Sequence, residues 1–167
     1  MTALPAFETH EVFNQPPALE NYNLFTSDRA LASAVEAMGA GFAGDRLAAY
    51  GEKLGRAETI ENGRLAHRFP PQLKTFDRFG HRRDEVEFHP AYHRVMELAM
   101  RHGVHAFAWR HADTPGAQVA RAALSYMHAQ AEAGTGCPLT MTHSAVPTLR
   151  HAPELAREWI PKITSLD

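Results

Sequence analysis

The chain has 167 residues, 44% of them hydrophobic and 22% charged, which suits one domain able to bury roughly 70% of its unfolded surface without disulfides or metal. A single cysteine, Cys137, excludes an internal disulfide, and a net charge of −2 excludes a global attraction to nucleic acid or anionic lipid. No apolar run approaches the roughly 18 residues of a bilayer span, and MTALPAFETH lacks the regions of a signal peptide, so a cytoplasmic location is expected.

Residues 1–26 hold Pro5, Pro16 and Pro17 with several Asn and no sustained period, and read as an extended arm. Phe7, Val12, Phe13, Leu19, Tyr22, Leu24 and Phe25 give this arm apolar anchors, which predicts that it lies against a body, its own or a neighbouring subunit's. Residues 27–167 read as a helical domain.

After the cap signal Thr26-Ser27-Asp28, Leu31, Ala34, Val35 and Met38 keep a helical period up to Gly39. MGAGFAGD (38–45) reads as a turn between helices rather than a phosphate loop, because no strand precedes it. A second helix follows Gly44-Asp45 with Leu47, Tyr50, Gly51 and Leu54 on one face, ending near Gly55, and a third carries Ile60 and Leu65 up to Pro70-Pro71.

LKTF and RDEVEF, separated by Asp77-Arg78-Phe79-Gly80, predict a short hairpin. Pro90 then opens a helix with Tyr92, Val95, Met96 and Ala99 inward, closed by Gly103. Beyond the loop Asp113-Thr114-Pro115-Gly116, the stripe Ala120, Ala123, Leu124, Met127 and Ala131 marks a close-packing helix that Gly134 is expected to close. Cys137-Pro138 opens another with Leu139, Thr142, Val146 and Leu149 inward, which Pro147 should bend or end. A last helix from Pro153 is expected to bury Leu155 and Trp159 before Pro161. The fold class is therefore mainly α, a helical bundle with one short β-hairpin and an extended amino-terminal arm.

Chemistry is harder to find. Among eleven histidines, His89 and His93 in HPAYH have the best metal spacing, but Pro90 places His89 at the cap and off the face of His93, so no metal ligands are assigned. Cys137 sits at a helix start, where either a lowered thiol pKa or simple capping would explain it. The carboxylates lie beside cations or on polar faces, and none is assigned as a catalytic base. Arg64, His67, Arg68, Lys74, Arg78, His81, Arg82 and Arg83 concentrate positive charge, read first as a solvated surface, with Arg78, Arg82 and Arg83 as nucleic-acid candidates.

Three stretches carry a resemblance: THEVFNQPPALENYNLFTSD (9–28), DEVEFHPAYHRVM (84–96) and HAQAEAGTGCPLTMTHSAVP (128–147). From about residue 9 to the end, the chain resembles the amino-terminal third of the AidB alkylation-response branch of the acyl-CoA dehydrogenase family. The FNQP arm and the GxxCPxTMT segment carry the branch-specific part.

The resemblance implies a three-domain protein, usually tetrameric, whose middle β-domain and carboxy-terminal helical domain hold FAD. It further implies weak acyl-CoA dehydrogenase activity, a role in DNA alkylation defence, and DNA binding by the carboxy-terminal domain. It places the family's flavin segment and catalytic carboxylate outside this chain, so catalytic and cofactor-binding residues are expected to be absent here. The expected contributions are one wall of the acyl cavity, with Tyr126, Gln130, Thr140 and Thr142 facing it, subunit contacts through the arm, and a packing surface for the middle domain. A helix face carrying Thr and Tyr is equally what a satisfied core shows, and His143 replaces a residue usually aromatic and apolar in the branch. The alternative is a non-enzymatic helical module for oligomerisation or nucleic-acid binding.

Overall fold

A computed structural model describes residues 9–166. In chain order it has α1 (Arg29–Ala37), a 3₁₀ turn (Gly41–Ala43), α2 (Gly44–Leu54), α3 (Ala57–Arg68), β1 (Gln72–Phe76), β2 (Arg82–Glu87), α4 (Pro90–His102), α5 (Phe107–Arg110), α6 (Ala117–Ala131), α7 (Gly136–Leu149) and α8 (Pro153–Ile163). The architecture is a helical bundle with one two-stranded antiparallel hairpin.

The helix ends follow their local chemistry. The Asp28 carboxylate accepts the Leu31 amide and starts α1. At its other end Gly39 adopts φ +75°, and the amides of Gly39 and Ala40 bond the carbonyls of Glu36 and Val35, a Schellman stop. Pro90 takes the first position of α4, and Gly103, at φ +81°, ends it.

The core gathers Leu24, Phe25, Val35, Leu47, Tyr50, Leu54, Ala99, Val104, Phe107, Leu124, Met127 and Leu139. The predicted inner face of α2 is buried in full. Helix α6 lies at the centre, meeting α1, α2, α3, α5 and α7. Its Ala120 and Ala123 leave no side chain to hold neighbours off, so packing is close. Where α3 crosses the end of α6, Gly63 is pressed so near the Ala131 carbonyl that a methyl group there would overlap it.

The predicted arm divides at residue 22. Val12, Phe13 and Leu19 are exposed, whereas Leu24 and Phe25 enter the core and Asn21 and Leu24 donate amide bonds to Gly55 and Gly51. Phe7 lies outside the described residues. The hairpin pairs Gln72 with Glu87, Leu73 with Val86 and Lys74 with Glu85, and its register shifts between Lys74 and Phe76. The turn closes through Gly80 donating to the Asp77 carbonyl, while the Asp77 carboxylate accepts the Phe79 and His81 amides.

Three expectations are corrected. Helix α6 stops at Ala131 rather than at Gly134, because Glu132 leaves the helix in extended backbone and spends its carboxylate on the next turn. Helix α7 runs through Pro147 to Leu149. The missing Pro147 amide would have bonded the His143 carbonyl, and the Trp109 indole Nε1–H donates to that oxygen instead, at 2.8 Å. Finally, α8 continues through Pro161, and Leu155 and Trp159 are not buried: they are 51% and 45% exposed, because no element among the described residues covers them.

Candidate functional site

The corner joining α6 to α7 is held by a buried polar chain. The Tyr50 hydroxyl lies 2.8 Å from His128 Nδ1, His128 Nε2 lies 2.7 Å from Thr135 Oγ1, and Thr135 Oγ1 donates to Glu132 Oε2 at 2.5 Å. Ionised Glu132 can only accept, so the Thr135 proton points at it. His128 Nε2–H must then donate to Thr135, leaving Nδ1 to accept from Tyr50. The chain runs one way, through a neutral imidazole.

The electrostatics agree with this direction. Burial lowers the His128 pKa to about 4 and pushes the Tyr50 phenol upward. Burial also acts to raise the Glu132 carboxyl, but bonds from the Thr135 hydroxyl and amide and the Gly134 amide hold it below the usual carboxylate range. Tyr50 also stacks on His102 with ring centres 4.6 Å apart. Every polar group in this chain has a partner and none faces an open cavity, which makes it a positioning device for the GTGCP turn.

On the outer side of that corner, Tyr126 and Gln130 occupy successive turns of α6 and are exposed, as is Thr140 on α7. Arg121 ties the two helices together, Nε donating to the Val104 carbonyl and Nη2 to Thr140 Oγ1 at 3.3 Å. Thr142 is different: it is half-buried and its hydroxyl donates to the Pro138 carbonyl at 2.9 Å. Of the four residues expected to face a cavity, Tyr126, Gln130 and Thr140 are exposed and Thr142 is half-buried.

Helices α7 and α8 enclose an open groove of about 580 Å³ lined by Met141, Ala145, Leu149, Leu155, Trp159 and Ile163, with Ser144 and Thr148 as its hydroxyls. It presents no cation and no convergent amide donors, so it suits a hydrocarbon or an apolar protein layer and not a flavin diphosphate.

The remaining candidates are placed as follows. The His89 Nδ1 accepts the Ala91 amide as the α4 cap, and among the described residues no three His, Cys, Asp or Glu side chains gather as a metal group. Cys137 is exposed in the first turn of α7 and Thr135, not Cys137, holds the cap position. Arg82 and Arg83 pair with Asp84 and Glu85 along β2, and Arg78 lies over the Phe79 ring. Among the described residues no helix is long and apolar enough to cross a membrane. Sequence reasoning missed Arg121 and the Tyr50–His128–Thr135–Glu132 chain; the buried face of α2 pointed to Tyr50, but nothing in the pattern of the turn marked Thr135.

Residues 14–167 match the family described as the adaptive response protein AidB N-terminal domain. The acyl-CoA dehydrogenase-like protein AidB of Escherichia coli (strain K12) is 47% identical over 160 residues, 95% of this chain and 30% of that protein. Among solved structures, the apo form of Bd2924 superposes with a TM-score of 0.82 at 25% identity, covering 93% of this chain and 32% of its own. Caenorhabditis elegans ACDH-11, solved in complex with C11-CoA, superposes with a TM-score of 0.79 at 21% identity, covering the whole of this chain and 30% of its own, a likeness of fold. The chain thus spans about a third of the length of these relatives, and it belongs to the AidB amino-terminal domain family.

Proposed function

We propose that this domain is the supporting wall of a flavin-dependent acyl-CoA dehydrogenase-like protein of DNA alkylation defence, with flavin and catalytic base supplied by segments beyond these 167 residues. The exposed residues Tyr126, Gln130 and Thr140 of α6 and α7, with half-buried Thr142, line the acyl cavity, and the α7–α8 groove seats the neighbouring layer of the same protein. Bound in the complete protein, FAD would supply the hydride acceptor for acyl dehydrogenation; these residues orient the chain and exclude water. Tetramer formation and DNA contact through the carboxy-terminal domain belong to the same proposal, as does the division into an arm at 1–26 and a helical domain at 27–167.

The observation that carries this reading is the uncovered groove, because monomeric proteins seldom leave so continuous an apolar strip in water. The test combines colour with hydrodynamics. The purified chain is expected to be colourless after gel filtration, to bind a hydrophobic dye and to self-associate in sedimentation. A yellow chain that retains flavin, or a monomer that binds no dye, would overturn the assignment. A second reading, an oligomerisation module, is favoured by Val12, Phe13 and Leu19, 63%, 89% and 72% exposed on the arm. It predicts that association is lost on deleting residues 9–20 and survives substitutions in the groove.

A further inference from the structure

The end of α2, the start of α3 and the middle of α4 surround a hollow of about 280 Å³ lined by Lys53, Arg56, Glu58, Thr59, Asn62 and Arg94, with Val95 and Leu98 as its apolar lining. Asn62 is 7% exposed, and its Oδ1 accepts from Arg94 Nη1 at 3.3 Å. That bond fixes the amide: oxygen toward the arginine, nitrogen turned away. Among the described residues the only sealed side-chain polar atom without a partner is His105 Nδ1. The Asn62 nitrogen has no hydrogen-bond partner and keeps some exposure, and Asn62 lines the hollow.

The charges around this buried donor are unbalanced. Arg56 is paired with Glu52 at 2.8 Å, but among the described residues neither Lys53 nor Arg94 has a carboxylate within ion-pair distance. Thr59 spends its hydroxyl proton on the Lys53 carbonyl and so holds that end of α2 in place. Glu58 is the one carboxylate on the lining. Residues bearing an amide donor, a guanidinium and an ammonium thus line one hollow from three elements, with Glu58 its only carboxylate. A half-enclosed hollow that presents donors in this way is complementary to an oxyanion with several oxygens.

We infer that this hollow is a phosphate-binding site, in which the Asn62 amide nitrogen, Arg94 and Lys53 hold a phosphate group and Arg56 closes the rim. The volume has room for more than the phosphate, which fits a phosphate monoester whose organic part lies against Leu98. This inference is independent of the acyl-cavity proposal and involves α2, α3 and α4.

The experiment is a titration of the isotope-labelled chain with inorganic phosphate and with adenosine 5′-monophosphate at constant ionic strength, read by amide shifts in NMR. Shifts confined to residues 53–62 and 94–98 are expected with both probes, larger and saturating earlier with the monoester. Asn62→Asp keeps the acceptor for Arg94 but replaces the free donor by a charge, and should weaken binding by at least about tenfold. Lys53→Gln, on an exposed side chain, should weaken it about threefold with melting unchanged. Arg78→Gln, on the distant hairpin, should change nothing. Equal affinity in wild type and Asn62→Asp, shifts no larger than those caused by chloride, or shifts scattered over all basic side chains would each overturn the site.

Discussion

The neutral imidazole of His128 makes the α6–α7 corner sensitive to acid. Its pKa in the folded chain, about 4, is below the ordinary 6.5. Between those values the unfolded chain binds a proton that the folded chain refuses, so stability falls as pH falls from 6.5 toward 4 and is unaffected above that window. The slope from His128 alone is about 1.4 kcal/mol per pH unit. His102, lowered to about 4 by burial and by Lys53 and Arg46, acts in the same direction. Urea midpoints measured at pH 7 and pH 5 should differ accordingly, and equal midpoints would remove the one-way chain through His128. The sequence showed Tyr50 as a buried position, because it repeats with Leu47 and Leu54 on one helical face. It could not show that a histidine 78 residues away would accept the phenol's hydrogen bond.

At the scale of single elements, α7 and the hairpin make opposite points. A proline deep in a helix ordinarily costs a hydrogen bond and a clash, yet α7 passes through Pro147 because Trp109, from α5, supplies the donor that the backbone lacks. Replacing Trp109 with Phe keeps an aromatic ring and removes that donor, and should cost about 1 to 3 kcal/mol. A loss below about 0.5 kcal/mol in thermal or chemical unfolding would show that the His143 carbonyl is satisfied in another way.

The hairpin is held by its own turn and ladder, with every residue of β2 exposed. Phe79→Ser at its tip should therefore shift stability by no more than about 0.5 kcal/mol, whereas Leu47→Ala in the core should cost about 2 to 5 kcal/mol. Comparable losses from the two would mean that the hairpin is packed on the body. Both strands were legible from their turn chemistry. The continuation of α7 was not, because the bond that rescues it comes from another helix.

For the molecule as a whole, the uncovered side of α7 and α8 governs behaviour in solution. Leu155→Ser with Trp159→Ser should abolish dye binding and reduce self-association while leaving the melting temperature within a few degrees, since both side chains are about half exposed already. A large drop in melting temperature would instead place these residues in the core, where their helical spacing first suggested they belong. The amphipathic pattern of α8 identifies an apolar face and is silent on what meets it. The same holds for α6 and α7, where helix geometry puts Tyr126 and Gln130 on one face of α6, while the tie of Thr140 to Arg121 depends on how the two helices pack.

The sequence by itself determined every helix but the short α5, the caps at Asp28, Pro90 and Gly103, the hairpin turn and the family, because each rests on local chemistry or on motifs a few residues long. Only the tertiary structure decided which apolar faces are covered, which proline is tolerated, and which distant side chains share a hydrogen bond or line one hollow. Those outcomes depend on contacts between segments far apart in the chain, and no pattern within a single segment encodes its partner.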